Sequence, residues 1–209
     1  MIFEFLTWNW IRRVIIQIKP LIEVKTAMTR HQYNPQKHHR RSIRLPGYDY
    51  TTPDAYYVTI CADEKRFIFG DIIDGVMHLN LAGKTVNAVW QRLPNYFKNI
   101  TLDGFVIMPN HLHGIIIIND NNWQRSPQKT YPTFTGTKPG SLSAIVQNLK
   151  SVSSRKVNRI LKNSGTIWQS NFYERIPRNE TAINRIRQYI LDNPKNWEND
   201  EKNPDYIDF

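Results

Sequence analysis

The sequence predicts an α+β domain, a split βαβ sandwich in which helices cover one face of an antiparallel sheet and a further helix follows at the C-terminal end. Runs of β-branched and aromatic residues alternate with segments of helical periodicity in the order β-β-α-β-β-α-β-α. Two apolar runs are separated by only two turn-forming residues, which predicts neighbouring antiparallel strands. The 209 residues, 40% of them hydrophobic, suffice for one compact domain with appendages.

The first half of the domain is predicted to contain two strands and a helix. The β-branched and aromatic run at 56–62 predicts the first strand, and Val76–Leu79 predicts a short second one. Apolar residues recur at helical spacing over 81–97, which predicts an amphipathic helix. Pro94 is expected to bend or end this helix.

A hairpin follows. Residues 102–108 and 111–118 are two apolar runs joined by Pro109 and Asn110, both of which favour turns. Because both runs are almost continuously apolar, we expect them near the middle of the sheet. The next segment, 119–140, is rich in Asn, Pro, Thr and Gly without periodicity, and it predicts a flexible connector.

The second half is predicted to contain two helices around a strand. The helix over 141–162 has an apolar face and a basic face, and the run 166–178 resembles a strand. A last helix is expected over 179–193, with Asn179 as its N-cap and Pro194 directly after it.

The predicted catalytic domain covers 46–197, and the chain on either side differs in composition. Residues 1–27 crowd apolar side chains around two arginines, which does not fit a signal peptide. We expect this extension to be dispensable, with Met28 as an alternative start, although an extra helix packed on the domain fits equally well. Residues 28–45 predict a mobile basic arm. Residues 198–209 predict a solvated acidic tail.

The charge of the chain favours a polyanionic partner. It has 28 Lys and Arg against 18 Asp and Glu, a net charge of +10 and a pI near 9.7, which points mainly to nucleic acid. The single cysteine excludes a disulfide scaffold and a thiolate zinc cluster, and it fits a reducing cytoplasm. No apolar run is long enough for a membrane span. The basic residues most suited to contact phosphates, unless they are merely solvated, are Arg40, Arg41, Arg44, Lys150, Arg155, Lys156 and Arg159.

The candidate chemistry begins at His111 and His113. Side chains alternate along a strand, so these two histidines share one face about 7 Å apart while Leu112 points into the core. Two imidazoles so placed can bind one divalent ion. The alternative is a pair of structural histidines whose hydrogen bonds are satisfied within the protein.

A second candidate element lies on the last predicted helix. Tyr189 and Asn193 are four residues apart, so they lie on one edge of its apolar stripe and can face the same site. The alternative for Tyr189 is an interface aromatic with its hydroxyl in water. Tyr173 is a weaker candidate nucleophile, expected instead to pack in the core or stack on bases. Trp168 and Phe172 are expected in the core rather than stacked on bases.

Taken together, these motifs resemble one known family. From about residue 39 to residue 197 the chain is similar to the REP-associated tyrosine transposases, where REP denotes a repetitive extragenic palindrome. This family is a branch of the HUH single-strand endonuclease superfamily, related to the IS200-like single-tyrosine transposases. The blocks that carry the resemblance, in family order, are HHRRSIRLPGYDY, AYYVTI, GFVIMPNHLHGIIII, SLSAIVQNLKS, IWQSNFYERIPR and IRQYILDNPKNW.

The resemblance implies a ferredoxin-like fold and a metal-dependent reaction on DNA. His111 and His113 would hold a divalent metal with Asn193 as a third ligand, and Tyr189 would be the nucleophile. These donors suit Mg²⁺ or Mn²⁺. The implied activity is single-strand nicking and strand transfer at REP-like hairpin DNA through a covalent 5′-phosphotyrosine. The resemblance also implies a monomer working in the cytoplasm at the nucleoid, away from membranes.

Two other functions remain open from the sequence alone. One is a domesticated relative that binds hairpin DNA or RNA without cutting it. The other is a metal-dependent nuclease that uses water as the nucleophile, with Tyr189 in a structural role. The intact His111, His113 and Tyr189 argue against a loss of chemistry.

Overall fold

The structure is a computed structural model that describes Leu45 and residues 47–120, 137–200 and 202–203. All of these belong to one compact unit, Ile43–Phe209. None of the helices in these ranges is both long enough and apolar enough to cross a bilayer. Several predictions fall outside the described residues: the extension 1–27, the basic arm with Arg40, Arg41 and Arg44, and most of the connector 119–140.

The structure contains the predicted strands and helices together with one further strand, and the predicted run 166–178 forms a strand only over Tyr173–Arg175. The strands are β1 Asp54–Cys61, β2 Gly70–Ile73, β3 Val76–Leu79, β4 Ile100–Ile107, β5 His111–Ile118 and β6 Tyr173–Arg175. The helices are α1 Leu81–Gln91, α2 Leu93–Tyr96, α3 Leu142–Leu161 and α4 Glu180–Asp192. Pro94 lies in the first turn of α2, so the predicted helix over 81–97 is divided into two. Asn179 caps α4 as predicted, because its side chain accepts a hydrogen bond from the Ala182 amide at 2.9 Å.

The main sheet has the strand order β4-β5-β1-β6, and every neighbouring pair is antiparallel. With α1 and α2 between β1 and β4 and α3 between β5 and β6, this is the ferredoxin-like split βαβ arrangement. The predicted α+β fold class is therefore confirmed. Strands β2 and β3 form a separate two-stranded hairpin.

Strand β2 was not predicted, although its turn carries a recognisable signal. Asp74 and Gly75 connect β2 to β3 with φ angles of 51° and 71°. Two consecutive positive φ angles are typical of the tight hairpin turn that Asp-Gly favours. The Asp-Gly pair directly before Val76 therefore indicates that a strand precedes it and pairs with β3.

The two faces of the main sheet carry different structures. On one face Val58, Ile60 and Leu112 pack into a large core with residues of α1 and α3, such as Trp90 and Leu149. On the opposite face Ala55 and Ile115 pack against Ile186 and Ile190 of α4 in a smaller cluster. The alternation of side chains along β1 and β5 thus sends one set of residues to α1 and α3 and the other set to α4.

Gly114 allows the closest approach between β5 and the helical layer. A Cβ atom at this position would collide with two ring carbons of Trp90, and Trp90 is fully buried in α1. Gly114 directly follows His113. The contact with Trp90 therefore sets the distance between α1 and the strand that carries the histidines. Such a position tolerates no side chain without displacement of the strand or the indole.

An ion pair joins α4 to the edge of the sheet. The Asp103 carboxylate accepts hydrogen bonds from Arg187 Nε at 3.0 Å and from Nη2 at 2.6 Å. Asp103 lies where the register of β4 against β5 shifts between Leu102 and Phe105. Arg187 holds the pKa of Asp103 below its usual range. The carboxylate is thus stabilised in its charged form beside the helix that carries Tyr189.

The first prediction concerns Gly114. Gly114→Ala is expected to lower the free energy of unfolding by about 1–3 kcal/mol, because the added methyl group overpacks the core against Trp90. Urea denaturation measures the change. Gly104→Ala is the matched control, since its methyl group would meet Ile190 and Arg187 only at 3.9–4.0 Å. Equal stability of the two variants would contradict this account.

The second prediction concerns the pH dependence of the Asp103–Arg187 pair. A carboxylate whose pKa is lower in the folded than in the unfolded protein stabilises the fold at pH values above its unfolded pKa, which is about 3.9. This stabilisation is lost as the pH falls through the folded pKa. Asp103→Asn should therefore cost about 1 kcal/mol at pH 7, a modest figure because the two side chains are 21% and 35% exposed. The difference from wild type should shrink in melts below about pH 4. Glu180→Gln, which removes a carboxylate that is 70% exposed, should cost less. A pH-independent loss in Asp103→Asn would refute the electrostatic explanation.

Candidate active site

The two predicted histidines lie on the face of the sheet that packs against α4. In the antiparallel register His113 is opposite Thr59 and His111 is opposite Cys61, while Leu112 points into the large core as predicted. Both imidazoles are fully buried. Their Nε2 atoms are 3.0 Å apart, so the two rings converge on one point.

Two hydroxyl groups of β1 hold the His113 ring. Its Nδ1 lies 2.7 Å from the Tyr57 hydroxyl and 2.8 Å from Thr59 Oγ1. The Tyr57 ring also stacks on the imidazole at a centroid distance of 5.5 Å. When Nε2 binds a metal, Nδ1 carries the proton and donates it, and these hydroxyl oxygens are suitable acceptors.

Asn110 determines the tautomer of His111. The Asn110 Nδ2 group donates to the backbone carbonyls of Lys65 at 3.2 Å and Lys202 at 2.8 Å. Its Oδ1 therefore faces His111 Nδ1 at 2.7 Å and must accept a hydrogen bond from it. With the proton on Nδ1, the Nε2 atom of His111 presents a lone pair. The sequence indicated only a turn former at this position.

Both imidazoles are neutral at physiological pH. Burial, then the neighbouring His113 and the Lys202 and Lys65 ammonium groups, hold the pKa of His111 well below its usual range. Burial, with a further contribution from Lys202, lowers the pKa of His113 to about 3. Neutral imidazole is the form that binds a metal ion. The pair is thus kept in its ligand form without a change of pH.

Asp200 supplies a carboxylate beside the histidines. One of its oxygens and one nitrogen of each imidazole all lie within 4.8 Å of one another. Its side chain is only 7% exposed and accepts a hydrogen bond from the Lys202 amide at 2.8 Å. The expectation of a solvated tail is therefore wrong for Asp200, because the Lys202 carbonyl is bound to Asn110 and this segment packs on the site.

Asn193 ends α4 and is buried, with 3% of its surface exposed. Despite Pro194 it keeps helical angles, with φ −55° and ψ −45°. Its Oδ1 atom is buried and has no hydrogen-bond partner among the described residues. A buried amide oxygen without a donor is costly unless it has another ligand, such as a cation. Asn193 and Asp200 are thus two candidate oxygen ligands.

The spacing of the two histidines fits a divalent ion. Two ligands in adjacent octahedral positions at about 2.1 Å from Mg²⁺ are about 3.0 Å apart, which matches the separation of the two Nε2 atoms. Two imidazoles and a carboxylate lie together, and the buried Cys61, whose pKa burial raises, is a poor thiolate ligand. His111, His113 and Asp200 are therefore a group that could hold a divalent ion.

Tyr189 lies beside this pair, as the sequence predicted for the last helix. Its ring meets His113 edge to face at a centroid distance of 5.4 Å and meets Tyr57 at 6.4 Å. It is 44% exposed and lines a cleft of about 810 Å³ that also reaches His113. The candidate nucleophile therefore has access to both the histidines and solvent.

The other candidate residues are dispersed. Lys150 is half-buried, and its ammonium group donates to the carbonyls of Gln169 at 2.8 Å and Asn171 at 2.6 Å, so it braces the segment before β6. The exposed cations of α3 lie with that helix on the side of the sheet opposite the histidines; they are Arg155, Lys156 and Arg159.

The aromatic residues before and in β6 have two different environments. Trp168 and Phe172 are buried in the large core, as expected. Tyr173 is 58% exposed and lines the cleft that contains Tyr189. It is therefore available for stacking and does not belong to the core.

Comparison with known proteins identifies a bacterial relative. No family model matches the chain. The chain is 40% identical over 178 residues to an uncharacterized protein of Haemophilus influenzae, which corresponds to 81% of this chain and 96% of that protein. The chain belongs to the family of this Haemophilus protein.

Two solved structures similar to this chain are described as transposases. One is a REP-associated tyrosine transposase bound to a REP hairpin, with a TM-score of 0.49, 13% identity and coverage of 75% of this chain and 74% of that chain. The other is a candidate transposase from Deinococcus radiodurans, with a TM-score of 0.39, 15% identity and coverage of 71% and 95%.

The third prediction tests Asn110. Asn110→Ala should lower the affinity for Mn²⁺ about 10–100-fold, because His111 loses the acceptor that fixes its tautomer. Titration calorimetry with the metal alone measures this effect without reference to activity. Asn119→Ala is the matched control, since among the described residues that side chain bonds Thr101, at the far end of β5 from the histidines. Unchanged Mn²⁺ affinity in a folded Asn110→Ala protein would contradict the assignment.

Proposed function

We propose that this protein is a metal-dependent tyrosine transposase that nicks and rejoins single-stranded DNA at REP-like hairpins. The observation that carries the proposal is the edge-to-face contact of Tyr189 with His113, whose Nε2 is paired with that of His111. The candidate nucleophile and one of two neutral, converging imidazoles thus line the same solvent-accessible cleft. The sequence motifs support the same assignment, since they resemble those of REP-associated tyrosine transposases.

The proposed reaction uses Tyr189 as the nucleophile, as the resemblance implies. The Tyr189 oxygen attacks the scissile phosphorus and forms a phosphotyrosine ester with the 5′ side of the DNA. The bond from phosphorus to the 3′ oxygen breaks, the tyrosine proton passes to solvent, and the leaving oxygen takes up a proton to become a free 3′ hydroxyl. Attack of a 3′ hydroxyl on the ester restores a phosphodiester and releases Tyr189. Because bond energy is conserved, strand transfer needs no nucleotide cofactor.

The metal ligands in this proposal are His111, His113 and an oxygen of Asn193 or Asp200. A divalent ion held there supplies positive charge to the phosphate oxygens as negative charge develops. Because the imidazoles are neutral, they do not reduce the charge of the ion. The proposed ion is Mg²⁺ or Mn²⁺, as the resemblance implies, and both ions accept the oxygen ligand that Asn193 or Asp200 offers.

Binding of the DNA involves charge as well as the site itself. Four cations line the cleft, namely Lys65, Arg175, Arg185 and Lys202. We assign contacts with the hairpin stem, outside the cleft, to the exposed cations of α3: Arg155, Lys156 and Arg159. The proposed substrate is chromosomal DNA, which places the protein in the cytoplasm at the nucleoid. A monomer is the oligomeric state that the resemblance implies.

The fourth prediction tests the nucleophile. Labelled single-stranded REP-type hairpin DNA, incubated with the protein and Mg²⁺ or Mn²⁺, should give a protein-sized shift on a denaturing gel. Tyr189→Phe should abolish this adduct, because a phenyl ring cannot form the phosphate ester. Tyr173→Phe is the matched control, since this tyrosine lines the same cleft but has no described contact with the histidines.

Two outcomes would replace the proposal with the alternatives. Cleavage that persists in Tyr189→Phe without an adduct would identify a nuclease that uses water. Tight hairpin binding without cleavage in either metal would identify a binding module.

A further inference from the structure

A basic groove extends from the cleft along β6 and the first turns of α4. The cleft that contains Tyr189 and a second cavity, each of about 810 Å³, share Arg175, Ala182 and Arg185 in their walls. The second cavity continues to Asn179, the N-cap of α4. The two cavities therefore adjoin at these residues, and together they make the surface called the basic groove here.

Strand register and helix periodicity explain why these residues share one side. Arg175 is opposite Tyr57 in the sheet and Tyr173 is opposite Thr59, so both belong to the face that carries His113. On α4, Arg185 lies one turn before Tyr189, about 6 Å along the helix axis. The groove thus has β6 on one wall and α4 on the other.

The charge of the groove is strongly asymmetric. Among the residues that the structure describes, no Asp or Glu lines the cleft, whereas the second cavity has one acidic residue, Glu174. Glu174 accepts a hydrogen bond from the Tyr50 hydroxyl at 2.7 Å. The exposed Arg175, Arg178 and Arg185 have no ion-pair partner among the described residues. Three unpaired guanidinium groups along one groove fit a ligand with regularly spaced anionic groups.

We propose that Arg175, Arg178 and Arg185 bind the sugar–phosphate backbone of the unpaired DNA strand that flanks the bond attacked by Tyr189. The choice of ligand rests on the proposed function. Tyr173, which is 58% exposed at the junction with the cleft, offers a ring on which an unpaired base stacks. A base-paired stem offers no free base face along its length, so this ring favours an unpaired strand.

The position of the groove gives a specific role to each basic surface. The cations of α3 are separated from Tyr189 by the main sheet, so a strand held at the site cannot contact them directly. The groove opens at the site itself. We therefore assign the unpaired flank to the groove, independently of where the hairpin stem lies.

The fifth prediction tests the groove with two fluorescent DNA probes: an unpaired oligonucleotide with the flanking sequence, and the hairpin stem without flanks. In the triple variant Arg175→Ala, Arg178→Ala, Arg185→Ala, affinity for the unpaired probe should fall at least 10-fold. The slope of log affinity against log salt should decrease by about 2, from three lost contacts of about 0.7 each. Affinity for the stem should change little.

A matched control removes the same charge elsewhere. The control variant loses three exposed cations on the α1 and α3 side of the molecule through the substitutions Lys84→Ala, Arg92→Ala and Lys162→Ala. It should keep the wild-type salt slope with the unpaired probe. An equal loss in both triple variants would show an effect of net charge alone and would overturn the proposal. Wild-type binding of the unpaired probe by the groove variant would also overturn it.

The adduct assay separates the two proposals. If the wild-type protein forms no tyrosine adduct but the groove variant still loses the unpaired probe, the proposed chemistry fails and the groove assignment stands. If the adduct forms and the groove variant binds like wild type, only the groove assignment fails. Thermal melts confirm that each variant is folded, because all six substituted side chains are exposed.

Discussion

The antiparallel pairing of β5 with β1 is the constraint on which the candidate site depends. Because the two strands are in register from His111 to Ile118, the alternation of side chains sends Leu112 into the core and the two histidines to the opposite face. A shift of one residue would exchange these faces and bury the imidazoles beneath α1 and α3. The apolar residues on the core side therefore also determine on which face His111 and His113 lie.

The contacts on the two faces of the sheet position different elements. In the large core Gly114 lies against Trp90, and this contact sets the distance between β5 and α1. The smaller cluster and the Asp103–Arg187 pair hold α4 on the other face. One set of contacts positions β5, which carries His113, and the other positions α4, which carries Tyr189. Neither set includes the His113 or Tyr189 side chain.

The sequence predicted those parts of the structure that follow from local periodicity. The alternation in β5 predicted the shared face of the histidines, and helical spacing predicted that Tyr189 would face the same site. The residues that it missed act through contacts between distant segments. Asp200 lies in a short acidic segment without periodicity, and Asn110 resembles an ordinary turn residue. Lys150 was predicted to contact phosphates, or to be merely solvated, but its ammonium group bonds carbonyls 19 and 21 residues later.

The Asn110 side chain connects three parts of the chain, since it bonds the carbonyls of Lys65 and Lys202 as well as the His111 ring. One of those parts is formed only when residue 202 has been synthesised and has folded back onto the sheet. During translation the histidines can reach their strand before their orienting amide is complete. Three segments that are far apart in the sequence must therefore come together before the His111 ring is held in one orientation, so the metal-binding geometry depends on long-range folding more than the helix that carries Tyr189 does.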